Sequence, residues 1–299
     1  MSTLLQDIRI GGRKLARRPA FTVVAILVLA LGIGANTAVF SIVDAIVLRP
    51  LPIPEPQRVV TVWQTDARAE GDRSTVSALN FLDWETQGQS FESMGAYSGS
   101  AMTLTEHGEP TRLRVGRVSS GFFRTLGVTP TLGRDFREEE DRSGEERVVI
   151  LSEGLWKRVF GADPGLRGSP VTLDGQRHTV VGVVAAPPDW PQPLDAWTPL
   201  AFTPAELEPG QRRAQYLEVV ARLREGVTPR EAQAEMTTIA ARLAEQFPET
   251  NAGQGAVVVA LRELVVGDVQ KALLVLLGAV GFVLLIACAN VGGLMLTQA

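Results

Sequence analysis

Cysteine and histidine are nearly missing from this chain of 299 residues. The single cysteine, Cys288, excludes a disulfide framework and a thiolate metal cluster. Two histidines, His107 and His178, are too few and too far apart to suggest a metal site. Nucleotide and nucleophile signatures are missing as well. No G-x-x-x-x-G-K-S/T stretch occurs, so no P-loop is expected. No G-x-S-x-G elbow occurs either. Ser119-Ser120-Gly121 has the look of a nucleophile but reads better as a helix N-cap. The run Glu138-Glu139-Glu140-Asp141 reads as a solvated loop, because consecutive side chains diverge. No enzyme, no resident cofactor and no nucleic-acid partner is expected.

What the chain does contain is two long apolar stretches, Ala20–Val47 and Ala272–Leu296. Each exceeds the ~20 residues that cross a bilayer core as a helix. The second holds no charge and the first only Asp44. Gly32-Ile33-Gly34 falls inside the first and so cannot open a Rossmann turn. The expectation is a multi-pass membrane protein with a large water-exposed domain between two transmembrane helices.

Before the first stretch, Arg9, Arg13, Lys14, Arg17 and Arg18 oppose only Asp7, whereas residues 48–271 carry a net of about −7. A basic flank marks the cytoplasmic side, so the N-terminus is predicted inside and residues 48–271 outside. Apolar character continues past Ala35, longer than a signal-peptide core of ~7–15 residues, which favours an uncleaved anchor. Leu4, Leu5, Ile8 and Leu15 among the basic residues suggest that 1–19 is an amphipathic segment on the inner surface. Residues 297–299 would be a truncated cytoplasmic end.

The external domain reads as α+β. Arg49–Pro56 carries four prolines and should run extended, a stiff exit from the membrane. Val59–Trp63 (strand), Ser77–Phe91 (helix) and Ser93–Thr105 (strand) make one βαβ unit. Tyr216–Leu223 (strand), a helix opened by the capping box Thr228-Pro229-Arg230-Glu231, and Ala256–Leu261 (strand) make a second. The two would pair as a ferredoxin-like porter lobe, 57–105 plus 214–262. Residues 106–213 read as an inserted mixed α/β lobe. It would contain strands Leu113–Val118 and Val148–Leu151, a helix over Ser152–Gly161, and the hairpin Val171–Val184 turning at Asp174-Gly175.

Inside the apolar stretches, Ala30, Gly34 and Ala38 recur every four residues, as do Ala289 and Gly293. Small residues at that interval let helices approach closely in lipid. Asn36 and Asn290 add amides that need partners there. Association with further helices is expected, since two are too few for a substrate channel.

The chain resembles the MacB/FtsX-type permeases of ABC transporters, and among them the duplicated orphan type of acidobacteria and relatives. The likeness is carried by Leu31–Leu51 (LGIGANTAVFSIVDAIVLRPL) with Pro52–Gln57, and by Leu284–Val291 (LLIACANV). Phe122–Gly133, Val149–Phe160 and Val180–Ala186 are similar to the periplasmic core domain of that family. The resemblance implies an inner-membrane permease half that works as a dimer or pseudo-dimer. A separate cytoplasmic ABC ATPase would bind the ATP, and a periplasmic adaptor is a candidate partner. It also implies mechanotransmission, in which ATP-driven helix motion reaches the external domain, where substrate is exported or extracted. Asp44, Arg49, Pro50, Pro52 and Pro54 are the coupling-joint candidates. The alternative is a non-transporting regulator whose external domain controls an envelope partner such as a cell-wall hydrolase.

Overall fold

The computed structural model describes residues 19–43, 51–66, 73–106, 108–145, 147–185 and 193–296. These fall into two compact units. One is Leu51–Val265; the other holds the described parts of Met1–Pro50 and Val266–Ala299.

Helix α1 spans Pro19–Val43. The larger unit opens with Leu51–Glu55 and a 3-10 turn at Pro56–Arg58, which feed strand β1 (Val59–Asp66). Then come β2 (Arg73–Ser74), β3 (Val76–Ser77), α2 (Ala78–Gln87), β4 (Phe91–Thr105), β5 (Thr111–Val118) and α3 (Phe122–Leu126). Next are β6 (Leu132–Gly133), β7 (Val148–Ser152), α4 (Glu153–Phe160), β8 (Pro170–Leu173), β9 (Gln176–Val184) and β10 (Ala196–Pro199). The chain closes with β11 (Gln215–Leu223), α5 (Pro229–Gln246), α6 (Pro248–Asn251), β12 (Gln254–Ala260) and α7 (Leu261–Leu296).

In the first lobe the strands lie in the order β12-β1-β11-β4, each pair antiparallel. The start signals act as read. Ser77 Oγ accepts from Asn80 N, and Thr228 and Glu231 form a reciprocal capping box with Pro229 in the first turn. Helices α2 and α5 cover one face. Phe81, Trp84, Met236, Ile239 and Leu243 pack there against Val60, Val62, Leu217, Val219 and Ala221. Each such large side chain contributes about 1.5–3 kcal/mol by leaving water.

The other face carries Val59, Tyr97 and Val220, and α3 lies over it with Phe122, Phe123 and Leu126. A Cβ on Gly95 would stand 2.7 Å from Phe122 Cα, so glycine is what lets this helix settle on β4.

Strand β4 serves three partners in turn. Phe91–Tyr97 pairs with β11, Tyr97–Leu104 with β5, and Leu104–Thr105 with β8. From β5 the ladder continues parallel to β10, antiparallel to β7, parallel to β9 and antiparallel to β8. Since β8 returns to β4, six strands close a ring and leave no free edge within it. Leu104, Leu113, Val115, Val149, Leu151 and Val180 form its core with Leu155 of α4. The turn at Asp174-Gly175 has φ of 48° and 73°, the positive angles a type I′ hairpin needs.

The structure departs from the sequence expectations in four places. The second lobe does not begin at Glu106, because its ring needs β4 from Tyr97 onward. Leu261 ends no strand but opens α7, which starts well before residue 272. Ser119 caps no helix: its hydroxyl accepts from Ala96 N at 3.0 Å, and Gly121 occupies the N-cap position of α3. Of the acidic run, Glu138 and Glu139 are exposed, but Glu140 pairs with Arg134 and Asp141 accepts two backbone N–H groups.

In the helical unit, Asn36 Nδ2 donates to Gly32 O at 3.0 Å and to Val280 O of α7 at 3.2 Å. A Cβ on Gly32 would lie 2.9 Å from Leu284 Cδ1, so a larger residue there would have to displace the end of that side chain. Thr37 and Ser41 hydroxyls bond back to Ile33 O and Thr37 O, which leaves little polar surface on α1. Among the residues whose side chains are described, no unbroken helical stretch is long and apolar enough to cross a membrane. The backbone helices are longer than those stretches, 25 residues for α1 and 36 for α7.

Candidate functional site: the joint at the base of β1 and β12

The register Val60↔Ala260 sets the start of β1 beside the end of β12. Segment Leu51–Arg58 enters at the first and α7 leaves from the second, so both chain connections emerge from neighbouring strands at one end of the sheet. Both are built into the domain core. Ile53 and Leu261 are buried in the same cluster as Val59, Leu126 and Val220, with Leu51 and Leu264 packed against it.

Arg222 fastens the entering segment. It projects from β11 and is only 5% exposed. Its Nε donates to Thr125 O of α3 at 2.9 Å, and Nη1 and Nη2 both donate to Pro54 O at 3.2 Å. Among the described residues no carboxylate is bonded to it; these three N–H donors go to carbonyl oxygens. Burial, and then the Arg58 charge, hold its pKa below the usual guanidinium value.

Gly127 makes room for this contact. Its φ is +70°, and a Cβ would stand 3.0 Å from Arg222 Nη2 and 3.1 Å from Pro54 Cδ. Arg58 adds a second fastening: Nε donates to Leu223 O at 3.0 Å, Nη1 to Glu55 at 2.8 Å, and Nη2 to Glu92. Glu55 itself has φ of +48°, a strained angle for a non-glycine residue that the Arg58 N→Glu55 O bond helps hold.

Of the coupling-joint candidates, Pro52 and Pro54 lie here with exposed rings, and the Pro54 carbonyl is the anchored atom. Asp44, Arg49 and Pro50 lie outside the described residues. Among the helix-packing candidates, Asn36 meets α7, whereas Ala30, Gly34, Ala38, Ala289 and Gly293 are exposed. The Asn290 side chain lies outside the described ones. Arg222, Thr125 and Gly127 were not singled out from the sequence. The one signal for Arg222 is a cation at an inward position of a strand that is otherwise apolar, VVARL. Among the described residues, no group of three or more His, Cys, Asp or Glu could hold a metal ion.

A family model described as the MacB-like periplasmic core domain matches residues 22–239. The fold is similar to a domain of a candidate permease protein from Porphyromonas gingivalis. That match has 16% identity and a TM-score of 0.52, and covers 71% of this chain and 93% of that one. It is also similar to the periplasmic region of MacB from Actinobacillus actinomycetemcomitans. There the identity is 14% and the TM-score 0.52, with 72% of this chain and 94% of that one covered. No curated protein sequence matches the chain. The chain belongs to the family of the MacB-like periplasmic core domain, the external domain of ABC-type transporter permeases.

Proposed function

We propose that this chain is a permease subunit that converts ATP hydrolysis by a separate cytoplasmic ATPase into motion of its external domain. Helices α1 and α7 cross the inner membrane in this proposal. The 25 residues of α1 would extend ~37 Å at 1.5 Å per residue, enough for the hydrocarbon core, and include no charged residue. Residues 51–260 then face the periplasm. The strand order β12-β1-β11-β4 with both long helices on one face supports the ferredoxin-like porter lobe. The exposed small residues Ala30, Gly34 and Ala38 suit contact with a second permease half.

One observation carries the functional proposal: Leu51–Arg58 and the start of α7 join the same end of one sheet and are packed into its core. A displacement delivered at Leu51 or along α7 would therefore reach β1, β12 and α3. The test is the complete transporter, reconstituted with its ATPase, carrying glycine at Pro50, Pro52 and Pro54. Assembly and ATP turnover should persist while substrate movement falls at least ~10-fold. Unchanged substrate movement would remove mechanical coupling through this segment.

A further inference from the structure

Strand β12 ends the strand order of the first lobe and, among the described strands, pairs only with β1. Its outer side is therefore a sheet edge, where N–H and C=O groups can template a further strand. Proteins keep such edges shut with charge, proline, a bulge or a short strand. The opposite end of the order, β6, is two residues long and too short to template anything. By contrast β12 has seven residues, Gln254–Ala260 (QGAVVVA), with no charge and no proline. Its register on β1 runs unbroken from Gln254 to Ala260. Uncharged, valine-rich segments of this kind pair readily with other strands.

One side chain stands in the way. Gln233 of α5 donates from Nε2 to Ala256 O at 2.9 Å, and its Oε1 accepts from Val258 N at 2.7 Å. A strand added at this edge would bond to the same two backbone atoms. Thr237 steadies the amide: its Oγ1 accepts from Gln233 Nε2 at 3.1 Å and donates to Gln233 O at 2.8 Å. Packing of the helix does not call for these bonds, since Ala232, Met236 and Ile239 already bury its apolar face.

We infer that the outer edge of β12 is a strand-addition site kept shut by the Gln233 amide, and that the strand it excludes is β12 of a second copy. Ala256-Val257-Val258-Val259-Ala260 reads the same in both directions. Laid antiparallel on itself about Val258, it sets Ala256 opposite Ala260 and Val257 opposite Val259, with no like charges opposed. The N–H and C=O of one strand residue point to the same side. Val258, whose N–H faces outward, can therefore exchange both bonds with its copy. This edge acts independently of any coupling to an ATPase.

The experiment uses the full chain carrying Cys288→Ser, purified in detergent, where two copies can meet in any orientation. In dilute protein, Gln233→Ala should speed amide exchange over 256–258 by at least ~10-fold, the scale of one lost hydrogen bond. Exchange in α5 and β11 should stay as in the parent, because alanine is a good helix former. In concentrated protein the mass by light scattering should rise to about twice the parent's, and exchange over 256–258 should slow again. With Val258→Cys added, copper phenanthroline should link the two copies, since residues opposed in such a pair stand ~5.5 Å apart at Cα. Val258→Cys alone, with Gln233 in place, should stay unlinked. Gln233→Glu still accepts from Val258 N and sets a charge at the edge, so it should keep the parent's mass. Thr238→Ala, an exposed neighbour, should change nothing. A Gln233→Ala chain that keeps the parent's mass when concentrated, or one that associates without linking through Cys at 258, would overturn the proposal.

Discussion

The Arg222 guanidinium grips the Pro54 carbonyl with two N–H donors at 3.2 Å while its third contact holds Thr125 O of α3. A single side chain thereby ties the entering segment to β11 and to the helix beneath the sheet. Hydrogen bonds from a charged donor are worth about 1.5–3 kcal/mol each, and a buried carbonyl left unpaired adds its own desolvation cost. Arg222→Ala should destabilise the domain by about 3 kcal/mol in chemical denaturation followed by tryptophan fluorescence. Arg222→Lys should recover less than half of that, since an ammonium cannot reproduce the planar fork. Full recovery by lysine would mean that the positive charge, and not the fork, is what matters.

Gly127 and Gly175 form a natural comparison. Both have positive φ, +70° and +73°, but only Gly127 has neighbours where a Cβ would go. Alanine at Gly175 should cost the ~1–2 kcal/mol of the left-handed angle alone. Alanine at Gly127 should cost ~1–3 kcal/mol more, because it pushes on Arg222 and Pro54. Equal losses at the two sites would show that the joint has slack.

Trp197 sits in the core between α3 and the ring, edge-on to Phe123 at 5.4 Å, and its Nε1 is buried with no hydrogen-bond partner among the described residues. Removing an unsatisfied donor offsets part of the volume lost on truncation. Trp197→Phe should therefore shift stability by no more than about 1 kcal/mol, against about 3–5 for Trp197→Ala. A loss from phenylalanine as large as that from alanine would show that the indole has a partner.

Asp135 gives a pH signature. Burial drives its pKa up from 3.8 to about 6, opposed by the Phe136 N–H bond and by Arg124 and Arg134, while Glu140 pushes the same way as burial. A raised folded value means that between about pH 4 and 6 the native state holds a proton that the unfolded chain has already given up. The site's contribution to stability is thus present near pH 4 and lost as pH rises through 6. Because Asp135 is only partly buried, solvent screening keeps the effect near ~1 kcal/mol. Asp135→Asn should raise the melting temperature at pH 7.5 by a few degrees and flatten the slope between pH 4 and 7. An unaltered slope would place its titration elsewhere.

Much of the secondary structure was legible because its signals are local. Thr228 caps the helix it was read to cap, the helices expected over Ser77–Phe91 and Ser152–Gly161 form with those serines as their N-caps, and Asp174-Gly175 makes the hairpin it suggests. What escaped was set by contacts far apart in sequence. Nothing near Leu104 announces that it pairs with Leu173 to close a ring. Arg212 was unremarkable in a polar stretch, yet it is buried, bonded to Asn80 at 2.9 Å and Asp83 at 2.6 Å, and stacked over Phe247 at 3.7 Å. The prolines of the joint were visible as stiffness, but the arginine that seats them was not, because its partners are backbone oxygens that carry no residue identity.

That β4 changes neighbours halfway along its length has a consequence for how the family can diversify and be engineered. Neither lobe is a module with its own boundary. A chimera that exchanged the ring alone would cut a strand in two and leave Leu104 and Met102 without walls. Grafts should carry all of Phe91–Val118 with them.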